Sequence, residues 1–316
     1  MIRVKVSAPA TIANLGPGFD ILGLAIKEPR DLVELIIDDG YGIEIESIEG
    51  VDAELVTRDV DRNTTTVAIK YLLDRLGIKK FVKVKIWKGI PIGAGLGSSG
   101  ASAVAAIYGM AHALNLKLEP EFMIECAAKG EEAVTGAAHA DNVAPSLLGG
   151  LCAILSYEPL KIVKIEVFEE LSIVIARPST SLSREEKTKR ARELLPKSIS
   201  LKDHVRQCGS LLQVILGFII KNYELLGKGI SSDYIIEPAR SVMIPGFYSV
   251  KKAVIEAGAY GCSISGAGPS IFAICSEDKA KHVGEVMREE FMKSGVEKVD
   301  IIITKPSNVG AKLENY

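Results

Sequence analysis

The chain has no apolar run long enough to span a bilayer. The nearest candidate, Leu211 to Ile220, is short and carries Gln213, so it reads as a buried helix. No secretory h-region follows Met1, because Arg3, Val4, Lys5 and Val6 alternate charged with apolar character. Cysteine is scarce and unpatterned. Cys126, Cys152, Cys208, Cys262 and Cys275 include no C-x-x-C pair, and an odd count argues against a disulfide framework. Buried thiols in a reducing cytosol are the expectation. Neither charge is in surplus: 38 Lys and Arg stand against 40 Asp and Glu, interspersed, for a net charge of −2. Such a surface offers no basic stripe for a nucleic acid. Internal repeats and low-complexity tracts are absent as well.

What is present is an ordinary globular mixture, 47% hydrophobic and 25% charged over 316 residues, more than one compact core usually organises. Period-two alternation predicts strands at Arg3–Ala8, Val33–Ile37, Ile43–Ile48 and Val82–Trp87. Helical spacing predicts helices from Asn63 to Leu76, ending at Gly77, then Ser98–Leu114, Pro120–Val134 and a short one at Asp141–Leu148. A strand at Gly150–Tyr157 precedes a change of texture at Pro159. That change sets expected domains of 1–160 and 161–316. Beyond it come a strand at Leu171–Ala176, a charged helix at Arg184–Leu195 and a long helix at Leu201–Ile220. Helices at Tyr248–Ala257 and Asp278–Lys293 and strands near Cys262–Ser265, Ile271–Cys275 and Val299–Ile303 complete the chain. Hairpin-like strand pairs recur in both halves, so the fold class expected is α+β rather than a doubly wound parallel sheet.

The strongest chemical signal is Pro91-Ile92-Gly93-Ala94-Gly95-Leu96-Gly97-Ser98-Ser99-Gly100, between a strand and a helix. Glycines at alternate positions permit backbone angles that let successive N–H groups converge on one point. The helix that starts there adds its unpaired N–H groups and positive dipole end, which suits a polyphosphate. Ser98 and Ser99 are candidates to cap that helix, and one hydroxyl to ligate Mg²⁺. A plain tight turn would need fewer glycines. A dinucleotide fingerprint at Gly95, Gly97 and Gly100 lacks the strand that should follow its helix. A nucleotide-phosphate loop remains, but not of the Walker type, which needs a following Lys-Ser or Lys-Thr. Nor is it the protein-kinase type, because no H-R-D or D-F-G follows.

The run P-I-G-A-G-L-G-S-S resembles the phosphate loop of the GHMP kinases. Ser7 to Asp20 (S-A-P-A-T-I-A-N-L-G-P-G-F-D) resembles the first motif of that family, and Ser263 to Ser270 (S-I-S-G-A-G-P-S) the third. Within the family the resemblance is to the homoserine kinase branch. It rests on Ala10-Thr11 where mevalonate-type relatives carry lysine, on H-A-D-N-V-A-P at His139–Pro145, on the T-x-x-A-R-x-x-L-P pattern from Thr188 to Pro196, and on I-E-P-x-R at Ile236–Arg240. Gly100 departs from the family, which more often has Ala there.

The resemblance implies a two-domain fold, an N-terminal ribosomal protein S5 domain 2-like unit and a C-terminal ferredoxin-like α/β sandwich. It implies an ATP-dependent, cytoplasmic enzyme that phosphorylates the hydroxyl of L-homoserine in threonine biosynthesis, with Mg²⁺ as cofactor and neither nucleic acid nor membrane as partner. A kinase for mevalonate, shikimate or a sugar, and a nucleotide-binding sensor without activity, are the alternatives. Oligomeric state stays open, a homodimer among the options. Carried over position by position, Pro91, Ile92, Gly93, Ala94, Gly95, Leu96, Gly97, Ser98 and Ser99 hold the nucleotide phosphates. Asn63 and Lys88 are candidates beside adenine. Ser99, with Ser98 as second choice, and Glu131 hold the metal. Arg192 and Arg240 suit a carboxylate, Asp20 an ammonium group, and Asn14, His139 and Asn142 orient the substrate. Thr188 lies near the transferred phosphate. Taken singly, each has an ordinary structural reading, such as an exposed helix glutamate for Glu131 or a turn residue for Asn14. The family's asparagine, Asn142, cannot accept a proton, so transfer without a protein base is expected.

Overall fold

Alternating apolar residues open the chain as β1 (Ile2–Ala13), which turns into the long β2 (Leu22–Asp38) and then β3 (Gly42–Gly50). The structure is a computed structural model that describes residues 1–135, 140–180 and 184–315, with the side chains at 134, 135, 184, 185 and 188 outside that description. Helix α1 (Thr64–Leu76) starts where Asn63 Oδ1 accepts from Thr65 N at 3.0 Å and stops at Gly77, whose φ of 64° is left-handed. Strand β4 (Phe81–Lys88) leads through the glycine loop to α2 (Ser98–Ala113), α3 (Pro120–Thr135) and α4 (Ala140–Leu148). The hairpin β5 (Leu151–Tyr157) and β6 (Leu160–Ile165) follows.

Next come β7 (Ser172–Pro178), α5 (Arg184–Glu193), α6 (Leu201–Ile219), α7 (Tyr223–Ile230), α8 (Ile236–Arg240) and α9 (Phe247–Glu256). Strands β8 (Gly261–Ile264) and β9 (Ile271–Cys275), helix α10 (Ala280–Lys293), β10 (Val299–Thr304) and the short β11 (Lys312–Leu313) end the chain. Among the described helices, none is long and apolar enough to cross a membrane.

The first sheet runs β11-β1-β2-β4-β3, with β5 added to the far end of β2 and β6 to β5. Among the described strands of this sheet only β3 and β4 pair in parallel; the rest are antiparallel, as the α+β expectation requires. The second sheet, β10-β7-β9-β8, is antiparallel throughout. Strand alternation gives its two faces to two cores. Ile173, Ile175, Phe272 and Ile274 pack with Val214, Phe218 and the first sheet, whereas Val174, Ala176, Ile271 and Ala273 pack beneath α9 and α10. The junction between the sheets is therefore built from side chains on one parity of two strands.

Pro159 lies in the tight turn of the β5–β6 hairpin, and the first sheet continues to Ile165 before the second begins at Ser172, within about ten residues of the expected change. Two features add to or differ from the sequence expectations. The C-terminal residues return to the first sheet, pairing Val6 with Leu313 and bridging Ile26 to Pro306. Of the thiols expected to be buried, Cys208 is exposed on the outer side of α6, while Cys126, Cys152, Cys262 and Cys275 are buried and free.

Candidate functional site

The glycine loop is shaped by left-handed residues at alternate positions: φ is 66° at Gly93, 75° at Gly95 and 68° at Gly97. Space enforces glycine at two of them. A Cβ on Gly95 would lie 2.3 Å from Ser265 O, and one on Gly97 2.3 Å from Thr11 Oγ1. Those neighbours belong to the other two sequence motifs, so the three motifs close on one another. Ser265 Oγ donates to Gly95 O at 2.6 Å, and Thr11 N to Leu96 O at 3.1 Å.

Gly97 itself caps α2, with no side-chain cap bond. The expected serine cap is corrected accordingly: Ser98 and Ser99 are the first helical residues, and a left-handed glycine delivers the chain to them with the first-turn N–H groups still unpaired by side chains. Ser98 Oγ donates back to Ile90 O at 2.9 Å. Ser99 Oγ instead reaches across to Glu131 Oε1 on α3, 2.5 Å away. The two candidate hydroxyls are thus distinguished by direction, one toward the loop and one toward the carboxylate.

Beneath the loop lies a buried charge network. Asp31 Oδ1 accepts from Gly89 N and Ile90 N, both at 3.0 Å, and Oδ2 from Ser102 Oγ at 2.6 Å and from the Lys88 ammonium. Lys88 Nζ also donates to Ser98 O at 2.9 Å and Ser102 Oγ at 2.7 Å. One acid–base pair therefore fixes the strand before the loop to the first turn of α2 after it. Lys88, considered beside adenine from the sequence, has its ammonium engaged in this pair. Asn63 lines the larger cavity but donates Nδ2 to Thr57 O at 2.8 Å and caps α1 with its oxygen.

Two cavities flank the loop. One, about 820 Å³, is bordered by Asn63, Thr64, Ser98, Arg177, Thr180 and Lys298. The smaller, about 120 Å³, is bordered by Asn14, Asp20, Asp141, Asn142, Arg192 and Arg240. Positive φ at Asn14 (73°) and Asp20 (59°) shapes the first-motif loop on its wall. Asn14 Nδ2 donates to Gly266 O at 3.1 Å while its Oδ1 accepts from Asp20 N, also at 3.1 Å. Asn142 Oδ1 accepts from Thr11 Oγ1 at 2.9 Å, leaving its amide N–H₂ end for the cavity it lines.

Arg240 is buried and held on three sides. Its Nη1 donates to Gly266 O at 3.0 Å, its Nε to Ala191 O at 3.3 Å, and the guanidinium sits 4.9 Å from the Phe19 ring centre. Burial lowers its pKa, opposed by the charge of Asp20 and assisted by that of Arg192. Helix α8 aims this side chain because Asp233 accepts from Ile235 N, Ile236 N and Glu237 N, and because Glu237 pairs with Lys251 at 2.6 Å.

Asp141 is buried at the wall of the smaller cavity, and among the described residues its Oδ1 has no hydrogen-bond partner. Burial, then the nearby Asp20 and Glu131, pushes its carboxyl up to about 8, so at neutral pH it is mostly a neutral acid.

The structure thus brings Asn14, Asp20, Glu131, Asn142, Arg192 and Arg240 to one cavity beside the loop residues Pro91–Ser99. His139 lies outside the described residues. Thr188 falls on α5, but its side chain is outside the description. Sequence reasoning missed Asp31, Phe19 and Lys187. The last sits in the charged helix expected at Arg184–Leu195, where nothing singled it out, yet its Nζ donates to Gly93 O at 2.9 Å.

Comparison with known proteins agrees across the chain. The profile of the GHMP kinases N terminal domain matches residues 63–150, and that of the GHMP kinases C terminal matches residues 214–293. The homoserine kinase of Methanococcus vannielii is 37% identical over 291 residues, 92% of this chain and 94% of that one. That of Pyrococcus abyssi is 38% identical over 311 residues, 98% of this chain and 99% of that one. The crystal structure of a homoserine kinase from Cytophaga hutchinsonii superposes with a TM-score of 0.91 at 40% identity, covering 99% of this chain and 98% of that chain.

Proposed function

The chain belongs to the GHMP kinase family, and from that premise we propose that it acts as a homoserine kinase, moving the terminal phosphoryl group of ATP to the hydroxyl of L-homoserine. The observation that carries this reading is the junction of the two cavities at the glycine loop. Its N–H groups and the start of α2 lie between a space sized for a nucleoside and one walled by two arginines and an aspartate.

Homoserine is a zwitterion with a free hydroxyl, and the smaller cavity answers each part. Arg240, locked by Gly266, Ala191 and Phe19, presents its remaining donors to the carboxylate, with Arg192 beside it. Asp20 accepts from the ammonium group. The Asn142 amide, aimed by Thr11, orients the hydroxyl. In the transfer the hydroxyl oxygen bonds to the γ-phosphorus while the bond to the bridging oxygen breaks, that oxygen keeping the electron pair as ADP leaves. The hydroxyl proton passes to an oxygen of the transferred group. Asn142 takes no proton at neutral pH, and a mostly protonated Asp141 is no ready base, which supports transfer by alignment and charge neutralisation.

Ser99 and Glu131 suit Mg²⁺: an alcohol and a carboxylate, already in contact at the loop, are hard oxygen donors of the kind that share this ion with phosphate oxygens. When bound, the ion would neutralise charge on the phosphates. The larger cavity is assigned to the nucleoside and the C-terminal unit to the arginine side of the substrate. The buried free thiols fit a cytoplasmic setting.

A coupled ADP-release assay with Mg-ATP and homoserine, mevalonate, shikimate and a sugar tests the reading. Homoserine should give the highest kcat/KM. A preference for another alcohol overturns the substrate assignment, and Mg-ATP binding with no turnover on any of them overturns the enzyme assignment.

A further inference from the structure

Among the described residues lining the two cavities, one cationic side chain borders both, and it is Lys187. Arg192 and Arg240 border only the smaller cavity, and Arg62, Lys88, Arg177 and Lys298 only the larger. The other residues common to both are Gly93, Ser98 and Ser99, which belong to the loop and the first turn of α2. Lys187 therefore stands where the linings of the two cavities meet.

Its position is set by α5, which carries Arg192 five residues later toward the same substrate cavity. Nζ rests on Gly93 O at 2.9 Å, and that carbonyl belongs to the loop whose N–H groups form the anion cradle. A phosphate in the cradle offers full negative charge where Gly93 offers a carbonyl dipole, so it competes strongly for the ammonium. Lysine suits such an exchange, being a point charge on a flexible stem with three rotatable donors. During transfer the charge spreads over the three outer oxygens of the moving group, and a cation placed there acts on the transition state more than on either bound substrate.

We propose that Lys187 is a catalytic residue whose ammonium leaves Gly93 O to hold the phosphoryl group in transit between the cavities. This rests on the kinase reading above. The bonds made and broken are those already given, and Lys187 stays protonated throughout, contributing charge alone. The competing reading is a latch that merely pins α5 to the loop.

Lys187→Met and Lys187→Arg, made in the full chain, separate the two. The Met variant should lower kcat about 10²-fold, the scale for loss of one preorganised transition-state donor, with KM for homoserine changed less than about threefold. The Arg variant should recover to within about tenfold of the parent, because it restores the charge but not the geometry. Calorimetric titration supplies a readout that a latch would not divide. A β,γ-methylene analogue of ATP, which carries the γ-phosphate, should bind the Met variant about tenfold more weakly, and ADP should bind it like the parent. Equal weakening of both nucleotides, or a Met variant within about threefold of the parent in kcat, overturns the proposal. The titration needs no acceptor. A parent protein inactive on homoserine would sink the substrate assignment, while the two nucleotides would still decide the role of Lys187.

Discussion

Replacing Lys88 by Met probes the support beneath the phosphate loop, and the structure sets the size of the effect. The Asp31 side chain is 0% exposed and that of Lys88 3%, so neither charge has water to fall back on. In the variant, Asp31 keeps the N–H groups of Gly89 and Ile90 and the Ser102 hydroxyl but loses its counter-charge. Removing one partner of a buried pair costs about 3–5 kcal/mol, chiefly from the stranded charge. Asp31→Asn should cost a similar amount, since its amide would set a donor against the Lys88 ammonium. The double variant strands no charge, so it should lose less than the sum of the singles, by roughly 2–3 kcal/mol of coupling. Urea unfolding at equilibrium with an unchanged m-value measures all three. A loss below about 1 kcal/mol in Lys88→Met, or strict additivity in the double variant, would refute the reasoning.

Arg240→Lys should raise KM for homoserine by about 10²-fold with a smaller change in kcat, because an ammonium cannot keep Gly266 O, Ala191 O and the Phe19 face while also gripping a carboxylate. Steady-state kinetics checks it, and an unchanged KM would remove Arg240 from the substrate. Glu131→Gln should raise the Mg²⁺ concentration for half-maximal rate by about tenfold or more, read from a metal titration at fixed ATP; an unchanged titration would contradict the metal assignment. Asp141→Asn tests the buried acid through pH. The folded protein holds the Asp141 proton up to about pH 8, whereas the unfolded chain releases it near 3.8, so this group's contribution to stability is full below 3.8 and is lost as pH rises through 8. Asparagine has no such loss, so the variant should gain on the parent across that window, by at most on the order of 5 kcal/mol. Thermal unfolding at pH 5 and pH 8.5 measures the gap, and a gap that stays constant or shrinks would contradict it.

Much of the site was legible because its chemistry is local in sequence. The glycine loop is written in ten consecutive residues, and the Asn63 cap and Gly77 stop of α1 are turn chemistry within that helix's own ends. The pairing of Asp31 with Lys88 was legible, although Lys88 alone drew attention and then as a neighbour of adenine. Both lie on the core parity of their strands, with Val33, Leu35 and Ile37 on one and Val82, Val84 and Ile86 on the other. The register that pairs Leu32 with Trp87 sets them opposite each other. A charge on the buried parity of two paired strands is a readable sign of a buried ion pair. Lys187 carried no such sign. Its helix is charged on every side, and only the packing of α5 over a loop more than ninety positions away sets this charge against the loop. The helix cap went to Gly97 rather than a serine because the left-handed turn needed there leaves Ser98 and Ser99 already inside the helix. The return of the C-terminus to β1 depends on a two-residue strand, too short to announce itself by alternation.

The account turns on where the polyphosphate goes. A crystal structure with the β,γ-methylene analogue of ATP and homoserine measures this directly. The γ-phosphate should lie against the N–H groups between Gly93 and Ser99, with the homoserine hydroxyl facing it and the amino-acid carboxylate on Arg240. Phosphates bound away from this loop, or homoserine outside the cavity between Asp20 and Arg240, would contradict it.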